Sequence, residues 1–175
     1  MNKRWWKEAV AYQVYPRSFN DSNDDGIGDL PGLIDKLDYL KDLGIDIIWL
    51  SAMYRSPNDD NDYDISNYKE IIDELGTMND FDQLLENHYQ RGIKLILDLV
   101  VNHTSDKHPW FIESKSSTDS PKRDWYICAD PKADGSEPNN WESIFNGSTW
   151  TFDKNTQQYY CLLYTSDAAD EEDSV

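Results

Sequence analysis

The hexapeptide Ile45-Asp46-Ile47-Ile48-Trp49-Leu50 decides the fold class of this 175-residue chain. It is short, apolar and rich in β-branched side chains, which is typical of a strand buried within a parallel sheet. A helical pattern precedes it, because Asp29 is suited to cap a helix over residues 30–43 and Gly44 to end it. The hexapeptide is therefore predicted to be the second strand of a β-α-β unit.

Two further strand-like segments flank this unit. Residues 9–15 alternate with the two-residue period of a strand, and residues 93–101 form another apolar run. A second helix is predicted over residues 79–91, ended by Gly92. The residues expected to face the core are Leu33, Leu37 and Leu40 in the first helix and Phe81, Leu84, Leu85 and His88 in the second.

This order of elements predicts an α/β fold built from right-handed parallel β-α-β units. A doubly wound sheet and a (β/α)8 barrel both fit. The doubly wound fold favours a Gly-rich phosphate loop after the first strand, and the sequence contains no such motif. A barrel places polar functional residues at the carboxyl ends of its strands, where residues 59–64, Asn102 and His103 stand. We therefore predict a (β/α)8 TIM barrel, truncated after its third strand because the complete fold takes about 250 residues.

The chain is expected to divide after the third strand. Residues 1–103 are predicted to form the first three βα units of the barrel. From Thr104 the pattern gives way to polar sequence interrupted by Pro and Trp. A segment of this length without helical or strand periodicity indicates an insertion, so residues 104–160 are predicted to begin an inserted subdomain.

Composition excludes several classes of partner. The formal net charge is −18, with 34 acidic and 16 basic residues, so neither nucleic acid nor an anionic membrane surface is an expected partner. No apolar stretch approaches the length of a membrane span, and no signal-peptide pattern follows Met1. Two cysteines are too few for a disulfide framework, so a cytoplasmic location is expected. The sequence gives no indication of oligomeric state.

An acidic loop over residues 21–29 resembles the first nine positions of an EF-hand calcium loop, with Gly26 at position 6. Position 12 is Gly32 rather than the Glu that supplies a bidentate ligand, and a plain acidic turn is the alternative. We expect a structural Ca²⁺ ion in this loop. The predicted ligands are Asp21, Asn23, Asp25, the carbonyl of Ile27, and Asp29.

Two other polar constellations follow predicted strands. Residues 56–64 combine several acids with Tyr63, a pattern that suits sugar hydroxyls and a sugar ring but also a solvated charge run. Asp98 and His103 bracket the end of the third strand, where a lone His is more often structural than catalytic. Neither constellation assigns a function alone.

Several stretches together carry a family resemblance. They are residues 5–7, 12–19, 21–29, 37–40, 48–50, 56–64, 76–78, 98–105, 110–111, 138–141 and 159–160. On these stretches the chain resembles the oligo-1,6-glucosidase branch of the α-amylase family, glycoside hydrolase family 13, over about residues 3–160. The resemblance implies part of a retaining α-glucosidase that hydrolyses terminal α-linked glucose from short oligosaccharides. Trehalose-6-phosphate hydrolase and sucrose isomerase, of the same branch, remain alternatives. A non-enzymatic ancillary chain of a transporter is disfavoured, because those carry a membrane helix ahead of the barrel.

The resemblance also implies roles for individual residues. Asp60 and Tyr63 would hold and stack the terminal glucose, and His103 would donate to its 6-hydroxyl. Phe145, in the inserted subdomain, would line the same pocket. Asp98 would brace an Arg on the fourth strand.

Two residues depart from the family pattern, and Ala52, which stands where Pro is common, is the smaller departure. Asp62 stands where the family usually has Gly. We expect it to alter the turn beside Tyr63 and to bring a second carboxylate near the pocket.

The catalytic groups of the family are expected to lie outside this chain. A retaining glycosidase uses a nucleophile and an acid/base about 5 Å apart. In this family those residues, with a third carboxylate, follow the fourth, fifth and seventh strands, so we expect no turnover from this chain. Residues 161–175 look like an in-frame translation of a sequencing-library adapter and are predicted to be non-native, with a natural acidic tail as the alternative.

Overall fold

The computed structural model describes residues 4–162. The chain forms two compact units, with the boundary between Ser105 and Asp106. The first unit contains β1 (Ala11–Val14), α1 (Leu30–Asp35), α2 (Leu37–Asp42), β2 (Ile47–Leu50), β3 (Tyr54–Arg55), β4 (Asn67–Ile71), α3 (Met78–Gln90) and β5 (Lys94–Leu97). The second contains α4 (Pro109–Lys115), β6 (Cys128–Ala129), β7 (Trp150–Asp153) and β8 (Gln158–Cys161). Short 3₁₀ turns cover Trp5–Lys7, Pro16–Ser18 and Arg123–Trp125.

A parallel sheet of order β1-β2-β5 forms the centre of the first unit. Tyr12 pairs with Ile48, and Ile48 pairs with Leu95, so the three predicted strands lie side by side in parallel. This confirms the β-α-β reading of the sequence. Each strand is shorter than its apolar run, because the ladder of paired residues ends while the apolar pattern continues into the flanking loops.

The helical segment between β1 and β2 differs from the prediction. A single helix was expected over residues 30–43, but the backbone leaves helical geometry at Lys36 (φ −98°, ψ 1°) and α1 and α2 are separate. The apolar residues Leu33, Leu37 and Leu40 are nevertheless all fully buried. Their spacing keeps one apolar face across the break, so the pattern could not reveal it.

Helix α3 begins and ends as its sequence predicts, within one residue. Thr77 and Asp80 form a capping box at its start, which satisfies backbone donors that the first turn leaves free. Leu84 is fully buried against the sheet. The expectation that Leu85 also faces the core is wrong, because that side chain is 39% exposed.

The two faces of the parallel sheet have different surroundings. Ile48 and Leu50 are fully buried in the core that the helices cover. Trp49 and Ile96 pair across β2 and β5 on the other face, and both are exposed. Side chains that follow the strands on this second face are therefore accessible at the carboxyl edge of the sheet.

Two antiparallel features were missed by the sequence reading. β3 and β4 pair antiparallel after β2, and β6, β8 and β7 form a three-stranded antiparallel sheet in the second unit. Phe111 of α4 packs edge-on against Tyr160 of β8, with ring centroids 5.0 Å apart. These strands are two to five residues long, too short for a two-residue period to emerge.

β8 continues through Cys161, which pairs with Trp150. Most of the segment predicted to be non-native, residues 163–175, lies outside the described residues. None of the helices in the described part of the chain combines the length and apolar character needed to cross a bilayer.

Candidate functional site

Four of the five predicted sugar-site residues lie together in the first unit. Asp98 directly follows β5, and His103 lies five residues further on. Asp60 and Tyr63 come from the loop over residues 56–64, which connects β3 to β4. Hydrogen bonds of Tyr63 with Asp98 and with His103 join these two segments.

The carboxylate of Asp98 is the acceptor that links the sheet to the loop. The Tyr63 hydroxyl donates to its Oδ2 at 2.5 Å, and the Trp49 indole Nε1–H donates to its Oδ1 at 2.5 Å. Trp49 pairs with Ile96, and Asp98 lies two residues beyond Ile96, so both side chains project from the same face of the sheet. Asp98 thereby fixes the ring of Tyr63 over the carboxyl edge of the sheet.

Both ring nitrogens of His103 have protein partners. Its Nε2 lies 3.1 Å from the carbonyl oxygen of Tyr63, and its Nδ1 lies 2.6 Å from Nδ2 of Asn102. With the amide nitrogen donating to Nδ1, the proton of a neutral imidazole is on Nε2 and is directed at the Tyr63 carbonyl. Donation to a sugar hydroxyl, the role that the resemblance implies, requires the ring to share or exchange that bond.

The acidic loop is organised by Asp64, which the sequence reading did not single out. Its carboxylate accepts from the Ser56 hydroxyl at 2.6 Å and from the backbone N–H groups of Asp59 and Asp60, both at 3.1 Å. The Tyr63 N–H donates to the Asp60 carbonyl at 2.9 Å and closes the turn. One carboxylate therefore closes the loop from both ends and presents Asp60 beside Tyr63.

Charge and burial shift the titration of two site residues. Burial raises the pKa of the Asp60 carboxyl, the Asp64 charge raises it further, and His103 lowers it. Burial also raises the pKa of the Tyr63 phenol, and its hydrogen bond to Asp98 adds to that rise. Tyr63 is consequently a firm neutral donor to Asp98 across the physiological range.

Asp62 is fully buried, and its backbone has φ 74°. A positive φ is uncommon for any residue but Gly, so Asp62 holds a backbone conformation that suits Gly, and the expected change in the turn stays a prediction. The carboxylate lies beside Arg17, whose Nη1 is 3.9 Å from Oδ1.

Phe145 belongs to the second unit, where it is 55% exposed. It lies in a turn in which the Asn146 N–H donates to the Ser143 carbonyl at 3.0 Å. Its proposed place in the sugar pocket stays a prediction.

The predicted calcium loop is a series of short turns closed by side-chain oxygens. Asp21 Oδ2 accepts from the Gly26 N–H at 2.8 Å, Asn23 Oδ1 from the Asp25 N–H at 2.9 Å, and Asp25 Oδ1 from the Ile27 N–H at 2.8 Å. The bond from Gly26 is the largest cause that holds the pKa of the Asp21 carboxyl below its ordinary value. The side-chain oxygens of positions 1, 3 and 5 thus turn back over the loop.

Asp29 has a second task in the same loop. Its Oδ1 accepts from the Gly32 N–H at 2.6 Å as the N-cap of α1, and its Oδ2 accepts from the Ser22 hydroxyl at 2.8 Å. Within residues 4–162, no three His, Cys, Asp or Glu side chains converge as a metal-binding group. An oxygen-only donor set that includes an amide and a carbonyl suits a hard cation such as Ca²⁺, and water would complete its coordination.

The family profile described as "Alpha amylase, catalytic domain" matches residues 13–172. The oligo-1,6-glucosidase of Parageobacillus thermoglucosidasius is 61% identical over 170 residues, which cover 97% of this chain and 30% of that protein. The crystal structure of the trehalulose synthase of Pseudomonas mesoacidophila MX-45 superposes with a TM-score of 0.87 at 57% identity, over 90% of this chain and 28% of that one. The trehalose-6-phosphate hydrolase of Bacillus licheniformis gives 0.87 at 50% identity, over 97% of this chain and 32% of that one.

The chain therefore spans about 30% of the length of the relatives that it matches. The structural neighbours are TIM-barrel enzymes, which confirms the barrel over the doubly wound sheet. The three parallel strands β1, β2 and β5 are a partial barrel sheet.

Proposed function

Because this chain belongs to the α-amylase family of glycoside hydrolases, we propose that it holds the terminal α-linked glucose of short oligosaccharides for an oligo-1,6-glucosidase-like hydrolase. The substrate is a small oligosaccharide. The relatives that support this reading are glycoside hydrolases, the oligo-1,6-glucosidase at 61% identity among them.

The network of Asp98, Tyr63 and His103 is the observation that carries the proposal. It fixes an aromatic ring, a carboxylate and an imidazole at one edge of the sheet through bonds of 2.5 and 3.1 Å. A pyranose offers hydroxyls to such acceptors and donors and an apolar face to such a ring. Asp60, with its raised pKa, would accept from a sugar hydroxyl beside them.

Each residue has a positioning role, and we assign no catalytic residue to this chain. Asp98 orients Tyr63 through the phenol, as Trp49 orients Asp98. Tyr63 would present its ring face to the sugar, and the Nε2–H of His103 would donate a hydrogen bond to the 6-hydroxyl. The nucleophile and the acid/base that the retaining reaction needs are supplied elsewhere in the proposed enzyme.

Trehalose-6-phosphate hydrolase is the principal alternative, and charge disfavours it here. A phosphate dianion approaching the loop over residues 56–64 would meet the carboxylates of Asp60 and Asp64. The negative charges of the phosphate and of these carboxylates repel each other, and the chain as a whole carries a formal charge of −18. A neutral glucoside has no such penalty.

The test is a titration of the 175-residue chain with methyl α-glucoside, followed by NMR or calorimetry. We expect Tyr63→Ala to weaken binding about tenfold, because it removes the aromatic ring on which the sugar would stack, and tenfold corresponds to about 1.4 kcal/mol. Tyr89→Ala is the matched control, because Tyr89 lies on α3 and is 81% exposed. This variant should bind the glucoside with the affinity of the parent chain. Equal affinities for both variants, or no binding by the parent chain, would contradict the proposal.

We also propose that the loop over residues 21–29 binds a structural Ca²⁺ ion. Asp21, Asn23 and Asp25 would supply side-chain oxygens and Ile27 its carbonyl, with Asp29 at the end of the loop. The turns already formed by these side chains support the proposal, because little backbone ordering is left for the ion to impose.

Saturating calcium is expected to raise the melting temperature of the chain relative to an excess of chelator. A ligand at 100 times its Kd stabilises the folded state by about 2.7 kcal/mol. Asp21→Asn should lose most of this gain, because it removes the charge from position 1. Asp24→Asn removes the same charge from a position that supplies no ligand, so it should keep the gain. A calcium response that is absent from the parent, or equal in both variants, would refute the site.

A cytoplasmic location also belongs to the proposal. Cys128 and Cys161 are free thiols, as expected for a reducing compartment.

A further inference from the structure

The feature that the sugar site leaves unexplained is the side chain of Asp62. It is fully buried, although it belongs to an acidic loop whose neighbours Asp59 and Asn61 are exposed. Its φ of 74° is one that Gly would adopt without strain. The loop therefore carries both a buried acid and an unfavourable backbone conformation directly beside Tyr63.

Neither carboxylate oxygen of Asp62 has a hydrogen-bond donor within reach among residues 4–162. The nearest cation is Arg17, whose Nη1 lies 3.9 Å from Oδ1, beyond hydrogen-bond distance. That nitrogen is itself buried and, within the described residues, also lacks a partner. An ionised carboxylate in this position would keep most of its desolvation cost, because no donor replaces the lost water.

The charges that face Asp62 come from three directions. Arg17 favours ionisation, whereas Glu74 and Asp64 oppose it. Burial is the largest cause, and together these effects raise the pKa of the Asp62 carboxyl above its ordinary value of 3.8. The charge of Asp62 also raises the pKa of the nearby Tyr15 phenol, after burial as the main cause.

We infer that Asp62 is a positioning residue whose neutral carboxyl keeps the sugar-binding loop in place, so that its ionisation loosens the loop and weakens sugar binding. The part of this inference that concerns sugar binding rests on the proposed function. The neutral form tolerates a site without donors. The ionised form gains by moving toward Arg17 or toward water, and either movement displaces the adjacent Tyr63.

Two contacts would transmit such a displacement. Tyr63 is tied to Asp60 through its own N–H at 2.9 Å, and its hydroxyl is tied to Asp98 at 2.5 Å. Because His103 bonds to the Tyr63 carbonyl, movement of this one residue changes three groups of the proposed site.

The direction of the pH effect follows from the raised pKa. A group whose folded-state pKa lies above its unfolded value contributes stability that is present below the unfolded pKa and lost as pH rises through the folded pKa. The chain should therefore lose stability relative to an Asp62→Asn variant as pH rises above 3.8. Asn keeps the size of the side chain and tolerates a positive φ, so it removes only the ionisation.

The experiment compares the parent chain, Asp62→Asn and Asp59→Asn from pH 3.8 to neutrality, by melting temperature and by carbon NMR of the Asp62 carboxyl. We expect the melting temperature of the parent to fall several degrees behind that of Asp62→Asn as pH rises, and Asp62 to titrate above the ordinary value of 3.8. Asp59 is exposed in the same loop, so Asp59→Asn should track the parent at every pH. A constant gap between parent and Asp62→Asn, or an Asp62 midpoint at or below 3.8, would overturn the inference.

The affinity for methyl α-glucoside is measured in the same samples. Affinity should fall severalfold with rising pH in the parent and stay level in Asp62→Asn. If no variant binds the glucoside, the proposed function fails while the melting and NMR data still decide whether Asp62 controls the loop. If binding is normal but independent of pH, the inference fails and the proposed function stands.

Discussion

Replacing Asp98 by alanine is expected to weaken glucoside binding about tenfold, as Tyr63→Ala does, and to lower the free energy of unfolding of the chain by about 2–3 kcal/mol. The substitution removes the only acceptor, among the described residues, to which both the Tyr63 hydroxyl and the Trp49 indole donate. Tyr63 is half-buried, so its hydroxyl would lose a charged partner without full access to water. The ring would then be free to leave the carboxyl edge of the sheet.

Asp98→Asn separates the two effects of this change. Its amide oxygen still accepts from Trp49, and its amide N–H₂ donates to the Tyr63 hydroxyl, which is also an acceptor. We expect this variant to lose only about 1 kcal/mol of stability and to retain weakened binding. Urea unfolding and a methyl α-glucoside titration measure both quantities. Unchanged binding in Asp98→Ala would show that the Tyr63–Asp98 bond does not organise the site.

The parallel sheet was predictable because each strand is indicated by its own stretch of sequence. Each of β1, β2 and β5 lies within its own apolar run, and the spacing between runs leaves room for a helix. The break at Lys36 was not predictable, because Leu33, Leu37 and Leu40 share a face with or without it. β4 was missed because its sequence, Asn67–Ile71, is polar and pairs with only two residues of β3.

The candidate site residues were proposed from family resemblance rather than from pattern. Tyr63 and Asp98 are 35 residues apart, and nothing in either local sequence indicates that they bond. The bracing by Trp49 and the closing role of Asp64 depend on three-dimensional contacts and were missed. For Asp62 the residue type signalled a departure from the family, but only the structure shows that the carboxylate is buried without a donor.

Gly32→Ala is expected to cost about 3 kcal/mol of stability, the upper end for inserting a methyl group into a packed site. A Cβ at this position would lie 2.1 Å from the carbonyl oxygen of Asn20 and 2.8 Å from its carbonyl carbon. Both atoms are backbone, so no side-chain rotation relieves the overlap. The same crowding explains why position 12 of the calcium loop holds no Glu, since any side chain there meets Asn20.

Gly44→Ala is the control that separates crowding from backbone strain. Gly44 has φ 87°, but a Cβ there meets nothing within 4 Å, so the cost should be only about 1 kcal/mol, from the positive φ alone. Urea unfolding of the two variants measures the difference.

Calcium affinity is a second measurement, and only one of the two glycine substitutions should change it. Asn20 precedes the loop, its carbonyl accepts from the Asp29 N–H at 3.0 Å, and its side chain donates to the Gly32 carbonyl at 3.2 Å. Pushing Asn20 away from α1 therefore moves the frame on which the loop over residues 21–29 is built. Gly32→Ala should weaken calcium binding while Gly44→Ala leaves it unchanged. Equal stability losses in the two variants would mean that α1 shifts freely from Asn20 and that the close contact does not hold the loop.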